Sequence, residues 1–313
     1  MKRAGAVLLV SALLPALVGC HRAEQQRKLI AIIIPSQDNP YFKAEGDAAA
    51  ARAQALGYRT RVDSHEDDAY RQDNLMDAAI ASNAAALILD NAGSEASIAA
   101  VRRATHAGIA VFLIDREINA TGLAKAQIIA DNYQGAMIVA KEFARSVNYS
   151  GKYAELLGRE SDTNAQIRTS GFHAVLDKYP ALERVSAQSA NWSQSEAFQK
   201  TETMLQAHSD IVGVIAGNDT MALGAVAAAK SAGQSRISIT GFDGSPDAVN
   251  AIHTGALRAT TLQPAVVIAQ LAVDEAAAFL RTGSTGKPEK QVIPCDLVTQ
   301  TNAKDYRDFE KIR

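Results

Sequence analysis

The sequence predicts an α/β fold, with parallel sheets covered by helices on both faces. Three observations point there. Short continuous runs of aliphatic and β-branched residues recur along the chain, as strands buried on both faces require. Alanine-rich stretches of helical character separate them, and such alternation implies βαβ units. Aromatic residues make up only 5% of the chain, in keeping with small side chains that let helices lie close on a sheet.

Leu29-Ile30-Ala31-Ile32-Ile33-Ile34 reads as the first strand. The spacing then predicts a helix over 41–56: Asn39 can cap it, Pro40 sits where the first turn tolerates a missing N–H, and Gly57 ends it. Further strands are predicted at 85–89, 109–114, 127–130, 153–157, 212–216 and 237–241. Helices are predicted at 73–81, 94–105, 133–145, 193–207 and 220–231. No segment is of low complexity, and no period of 20–50 residues repeats.

The first residues read as an address. Lys2 and Arg3 precede an almost wholly apolar run over 4–18. That run is shorter than the roughly 20 apolar residues of a membrane-spanning helix and suits a secretory signal. It ends in Leu17-Val18-Gly19-Cys20, which resembles the bacterial lipoprotein signal, where small residues admit the peptidase and the cysteine thiol receives lipid. An ordinary signal peptide with an incidental cysteine is the plainer alternative. The expectation is a lipoprotein signal peptide over 1–19, lipidation at Cys20 and a polar tether over 20–27. Loss of the signal removes Lys2 and Arg3 and no acid, taking the formal charge from −2 to −4. No later segment is apolar and long enough to span a membrane. The body is therefore expected to be a globule in the periplasm or cell envelope, touching the membrane only through its lipid. Cys295 then has no partner and reads as a small buried residue.

Composition excludes several classes. A hydrophobic fraction of 47% is too high for a disordered chain. Lys plus Arg total 32 against 34 Asp plus Glu, a balance that argues against nucleic acid as partner. Two cysteines make neither a disulfide scaffold nor a cysteine zinc site, and no metal is expected. At 313 residues the chain suggests two domains. None of the six histidines falls in H-E-x-x-H spacing, and no G-x-S-x-G elbow occurs, so no catalytic residue is assigned and an enzyme is not expected. Neither G-x-G-x-x-G nor G-x-x-x-x-G-K-[ST] occurs, and no cofactor is expected.

In open parallel sheets, ligands bind beyond the carboxyl ends of the strands. Those ends carry Ser36-Gln37-Asp38-Asn39-Pro40-Tyr41-Phe42, Asp90-Asn91, Asp115-Arg116-Glu117, Gly158 with Arg168 further on, Asn191-Trp192, Asn218-Asp219, Asp243-Gly244 and Gln263-Pro264. Planar, multidentate side chains with aromatics beside them suit a sugar: Asp, Asn, Gln and Arg can each engage two neighbouring hydroxyls, and aromatic faces cover the C–H patches. Each feature also has a plainer reading. Asn39 and Asn218 serve as helix caps, Asp115-Arg116 as a surface ion pair, Asp243-Gly244-Ser245-Pro246 as a turn, and Trp192 as core.

At these residues the chain resembles a periplasmic sugar-binding protein of an ABC importer, in the ribose-binding branch. That branch shares its fold, periplasmic binding protein type I, with the sensor domains of the lactose-repressor family. The resemblance covers about 28–301. It is carried by Asp38-Asn39-Pro40-Tyr41-Phe42, Ile114-Asp115-Arg116, Ala130-Asp131-Asn132, Arg168 before Gly171-Phe172, the run from Asn218 to Ala225, and Gly241-Phe242-Asp243-Gly244-Ser245-Pro246-Asp247. Carried across residue by residue, it implies a ligand set of Asn39, Tyr41, Phe42, Asn74, Asp115, Arg116, Arg168, Trp192, Asn218, Asp243 and Gln263. Tyr41 and Trp192 depart from the phenylalanines usual in ribose-specific members. Tyr41 could thereby add a hydroxyl contact, and Trp192 a broader stacking face that suits a pyranose ring.

The resemblance further implies two doubly wound lobes joined by a three-strand hinge, with crossings near Asp131, Gln263 and Pro294. One lobe is expected to hold 28–130 plus 264–292, the other 131–263 plus 293–313. A monosaccharide, pentose or hexose, would close the lobes, and an ABC permease would read the closed form; a monomer is expected. The sequence equally accommodates a lipid-anchored sensor presenting its ligand to a chemoreceptor or histidine kinase, or a binder of a polyol or furanose signal. A transcriptional repressor would need a helix-turn-helix where this chain carries its leader.

Overall fold

The computed structural model describes residues 28–312. The apolar leader, Cys20 and the tether lie outside the described residues. Every strand and helix predicted above is present, with ends moved by up to four residues. The fold is α/β, built on two six-stranded sheets.

The first sheet contains β1 (Leu29–Ile34), β2 (Arg59–Ser64), β3 (Ala86–Leu89), β4 (Ala110–Ile114), β5 (Ala126–Ala130) and β11 (Lys290–Ile293). Their order is β11-β5-β4-β3-β1-β2, and all pairs are parallel. The second contains β6 (Gly151–Leu157), β7 (Leu182–Ser189), β8 (Ile211–Ala216), β9 (Ser238–Thr240), β10 (Ala259–Leu262) and β12 (Asp296–Thr299), in the order β12-β10-β9-β8-β6-β7. Only β12 runs antiparallel to its neighbour. A hairpin, β13 (Tyr306–Arg307) with β14 (Glu310–Lys311), follows.

Among the strands of these two sheets, sequence reading found no apolar run at the four edges, β2, β7, β11 and β12, or at β10, although the ends of β7 and β10 were among its strand ends. Every residue of β2, Arg-Thr-Arg-Val-Asp-Ser, is half-buried, so it shows neither an apolar run nor a clean alternation. Polar edge strands of this kind discourage pairing with other chains. Inner strands such as β1 and β4 are buried along nearly their whole length.

Helices α1 (Pro40–Ala55) and α9 (Ala265–Thr282) cover one face of the first sheet, and α2 (Ala69–Ala81) and α3 (Ile98–His106) the other. On the second sheet, α4 (Asn132–Ser146) and α5 (Thr163–Leu176) lie opposite α6 (Gln194–Ala207), α7 (Asp219–Ser231) and α8 (Pro246–Thr254). The small residues have a direct use here. A Cβ on Gly224 of α7 would stand 2.4 Å from the Gln194 carbonyl oxygen, so α6 and α7 can approach this closely only with glycine there.

The chain passes between the sheets three times: at Asp131 after β5, at Gln263-Pro264 after β10, and at Pro294-Cys295 between β11 and β12. The first and third passages are tied together. Asp131 N–H donates to the Ile293 carbonyl at 2.7 Å, and the Gln134 amide exchanges hydrogen bonds of 3.0 and 3.1 Å with the Cys295 backbone. Cys295 is buried beside this junction, and burial pushes its thiol up to about 12, which leaves it protonated and unreactive.

Candidate functional site

The carboxyl ends of the two sheets face each other. Between them lies a small space lined by Asn39, Tyr41, Phe42, Asp115, Asp162, Asn164, Arg168, Trp192, Asn218, Asp243 and Gln263. Nine of the eleven residues expected in the ligand set are thus brought together. The cavity volume is only about 10 Å³, so the side chains of the two walls nearly meet across it. A wider vestibule lined by Ser36, Asp38, Asn191, Ser195 and Thr220 adjoins it.

The aromatic wall begins at α1. Asn39 caps that helix, its Oδ1 accepting from the Tyr41 N–H at 3.0 Å, and so fixes where the next two rings point. Tyr41 and Phe42 meet edge to face at 5.6 Å, and the Tyr41 hydroxyl donates to Asp115 Oδ1 at 3.2 Å. The tyrosine therefore uses its hydroxyl to orient a carboxylate. Phe309, between β13 and β14, packs on Tyr41 at 5.7 Å.

The polar wall is organised by Arg168. Its Nε donates to Asn132 Oδ1 at 2.7 Å, Nη1 to the Gly217 carbonyl at 2.9 Å and Nη2 to Gln263 Oε1 at 2.9 Å, with Asp243 Oδ1 at 3.4 Å from Nη1. The guanidinium also lies 4.0 Å from the Phe242 ring centroid and 5.4 Å from that of Trp192. A planar donor fork held on so many sides is rigid before any ligand arrives. Asn218 caps α7 through its Oδ1 to the Met221 N–H at 2.9 Å. Asp219 beside it accepts from the Ser245 N–H at 2.7 Å and from the Thr260 hydroxyl at 2.6 Å, which braces the loop that presents Asp243.

Backbone strain collects here. Asp115, Trp192 and Asp243 have φ of 55°, 65° and 127°. Non-glycine residues in such conformations concentrate at sites where a side chain must be aimed. Trp192 is 7% exposed, and its ring lies against the backbone of Gly158 and Gly217.

The electrostatics follow from burial. Burial pushes Asp115 up to about 6, against the lowering effect of Arg116. Burial likewise lifts Asp243 well above the usual carboxylate range, with Arg168 working the other way. Behind them Asp90 and Glu45 are fully buried and lifted well above the usual range by desolvation. Carboxyls lifted in this way keep a proton to higher pH, and a protonated carboxyl can donate to a hydroxyl as well as accept from one.

Two expected residues stand elsewhere. Asn74 is exposed on α2. That helix turns Gln72, Met76 and Ala79 inward, and a residue two positions from Gln72 faces away. Gln72 itself binds the Ala92 N–H at 2.7 Å and the Ser97 hydroxyl, shaping the loop after β3 from behind. Arg116 is buried but stands behind the space. Its guanidinium pairs with Asp67 at 2.7 Å and Asp162 at 2.8 Å and covers the Phe42 ring at 4.9 Å. Asp162 and Asn164, absent from the expected set, line the space instead. Asp162 caps α5, and an Asp-x-Asn at the start of a helix that follows a strand was the available signal. Asn164 Nδ2 reaches the Asp115 carbonyl at 3.2 Å, directly linking the two halves.

Fold and site together define a two-lobed binding protein with its ligand site between the lobes. Comparison with known proteins agrees. A family model described as a periplasmic binding protein domain matches residues 30–285. The chain is 58% identical over 279 residues to a D-apiose import binding protein of Paraburkholderia graminis, covering 89% of each chain. It is 53% identical to a D-apiose import binding protein of Actinobacillus succinogenes, covering 90% of this chain and 91% of the relative. Among solved structures, a periplasmic solute-binding protein of an ABC transporter from Actinobacillus succinogenes, with bound D-allose, superposes with a TM-score of 0.84. It has 27% identity, over 90% of this chain and 100% of that one. The chain belongs to the periplasmic binding protein family, and it is a binding protein of an import system rather than an enzyme.

Proposed function

We propose that the protein captures D-apiose, a branched five-carbon sugar, between its two lobes and delivers it to the permease of an ABC importer. The observation that supports this reading most strongly is the 58% identity, extending over 89% of both chains, to a D-apiose import binding protein. The lining of the space between the lobes is consistent with it, since planar polar side chains and aromatic faces suit a sugar's hydroxyls and carbon faces. In this reading Asp115, Asp243 and Gln263 accept or share the sugar hydroxyls, and Arg168 and Asn218 donate to them. Trp192, Tyr41 and Phe42 cover the carbon faces. The lobes are 28–130 with 264–292 and 131–263 with 293–313, and they close on the ligand as a monomer. A lipid on Cys20 holds the body at the membrane.

The test is a thermal-shift screen of residues 21–313 against D-apiose, D-ribose, D-allose and myo-inositol. Ligand at about 100 times Kd should raise Tm by roughly 5–10 °C through mass action. D-apiose is expected to give the largest shift at a fixed low concentration. A larger shift with any of the other three refutes the assignment. In cells, labelling with radioactive palmitate should mark the parent and not a Cys20→Ala variant; equal labelling refutes the anchor.

A further inference from the structure

Asp162 connects three things that are otherwise separate. Its Oδ1 accepts from the Asn164 N–H at 2.9 Å and so caps α5. Its Oδ2 accepts from Trp192 Nε1 at 3.1 Å. The same Oδ2 lies 2.8 Å from Nε of Arg116, which follows β4 in the other sheet. Both oxygens are therefore engaged by the protein. Asp162 is 4% exposed, so its pairing with Arg116 is sheltered from salt and water.

The pairing is one rung of a ladder. Arg116 Nη1 binds Asp67 Oδ1 at 2.7 Å, and Asp67 Oδ2 lies 3.4 Å from Arg159 Nη2. Charges alternate along Arg159, Asp67, Arg116 and Asp162. The outer two belong to the half built on the second sheet and the inner two to the half built on the first. The ladder thus crosses the cleft twice, and both crossings exist only while the two halves are together.

We propose that Asp162 is a positioning residue that couples the stacking ring to lobe closure: it holds Trp192 over the ligand and, on closure, latches to Arg116. This rests on the sugar-binding reading above. The latch sets how long the closed form lasts, and its contribution is the same for every ligand that allows closure. A latch made after encounter acts on dissociation, whereas the rate of encounter is left alone.

Asp162→Asn tests this because asparagine keeps an oxygen for the helix cap and removes the charge and the acceptor that face Trp192 and Arg116. Trp192 is the chain's only tryptophan, so stopped-flow fluorescence reads its surroundings during binding. With D-apiose and D-ribose as probes, koff should rise about tenfold while kon stays within about twofold. Arg159→Gln should raise koff by about threefold through the outer rung. Each variant should show the same factor on both sugars, and the ligand-free Tm should match the parent. An unchanged koff refutes the latch. A factor that differs between sugars makes Asp162 a direct ligand contact, and a lowered ligand-free Tm makes its role structural; either overturns the proposal. If neither sugar binds the parent, the ligand assignment fails instead. The same koff comparison is then run with whichever of D-allose and myo-inositol binds the parent, and the same outcomes support or overturn the latch.

Discussion

Gly158→Ala should disable ligand binding without a new charge or a lost polar group. A Cβ at this position would lie 2.0 Å from two ring carbons of Trp192 and 2.4 Å from a third. Ordinary contact needs 3.4–4 Å. Gly217 approaches the same end of the ring, where its own Cβ would meet one of these three carbons at 3.1 Å, so the ring has little slack there. It must swing, and it then leaves Asp162 Oδ2 and its place over the cleft. Loss of a charge-assisted hydrogen bond costs about 1.5–3 kcal/mol and loss of a stacked aromatic face about 0.5–1.5 kcal/mol. Together these predict binding weaker by roughly 2–4 kcal/mol, or about 30- to 1,000-fold in Kd. Overpacking should lower stability by about 1–3 kcal/mol, leaving a folded protein. Gly217→Ala is the graded control: the neighbour must give by only a few tenths of an ångström, so the loss should be several-fold smaller. Isothermal calorimetry measures both affinities, and circular dichroism verifies the fold. A Gly158→Ala variant that binds within twofold of the parent, or a Gly217→Ala variant that binds worse, refutes the account of Trp192.

Two further outcomes follow from buried polar groups. Burial pushes Asp219 up to about 7 from an ordinary 3.8, so the native state keeps a proton that the unfolded chain releases between about pH 4 and 7. Asp219 should therefore contribute a fall in stability as pH rises through that window, levelling off above it, of about 1.4 kcal/mol per unit and roughly 4 kcal/mol, beside the falls of the other buried carboxyls. Asp219→Asn should flatten this fall in urea titrations at pH 4.5 and 7.5, and an equal fall in both proteins would exclude Asp219 as its source. Arg168→Ala removes donors from Asn132, Gly217 and Gln263 at once. It should weaken binding by more than 100-fold, because several buried acceptors lose their partners at about 1–3 kcal/mol each; a loss below tenfold by calorimetry would contradict the central role given to Arg168.

What could be read from the sequence depended on burial. Strands covered on both faces, such as 29–34 and 110–114, leave continuous apolar runs. Edge strands such as 59–64 and 182–189 face water along one side and carry no comparable pattern. The residues that gather in the space between the sheets were legible because the topology of a parallel sheet says where its strand ends point. Asn74 was misplaced because a polar residue within a helix gives no sign of the face it occupies. Asp162 and Asn164 were missed because cap residues open helices everywhere, whether or not a ligand lies nearby. Phe309 reaches Tyr41 from a hairpin more than 260 residues further along the chain, and no local pattern connects them.

The three passages between the sheets also govern the order in which the protein can be finished. β5 pairs with β11, so Gln127 waits for Lys290, and the first sheet lacks an edge until nearly the whole chain exists. The second sheet waits for β12. A ribosome releasing this polypeptide from its N-terminus therefore produces no complete half until the last few dozen residues emerge. Contacts between residues so distant in sequence form slowly. For a member of a periplasmic binding protein family, the consequence is a chain that stays unfinished through most of its synthesis and is completed only by its last strands.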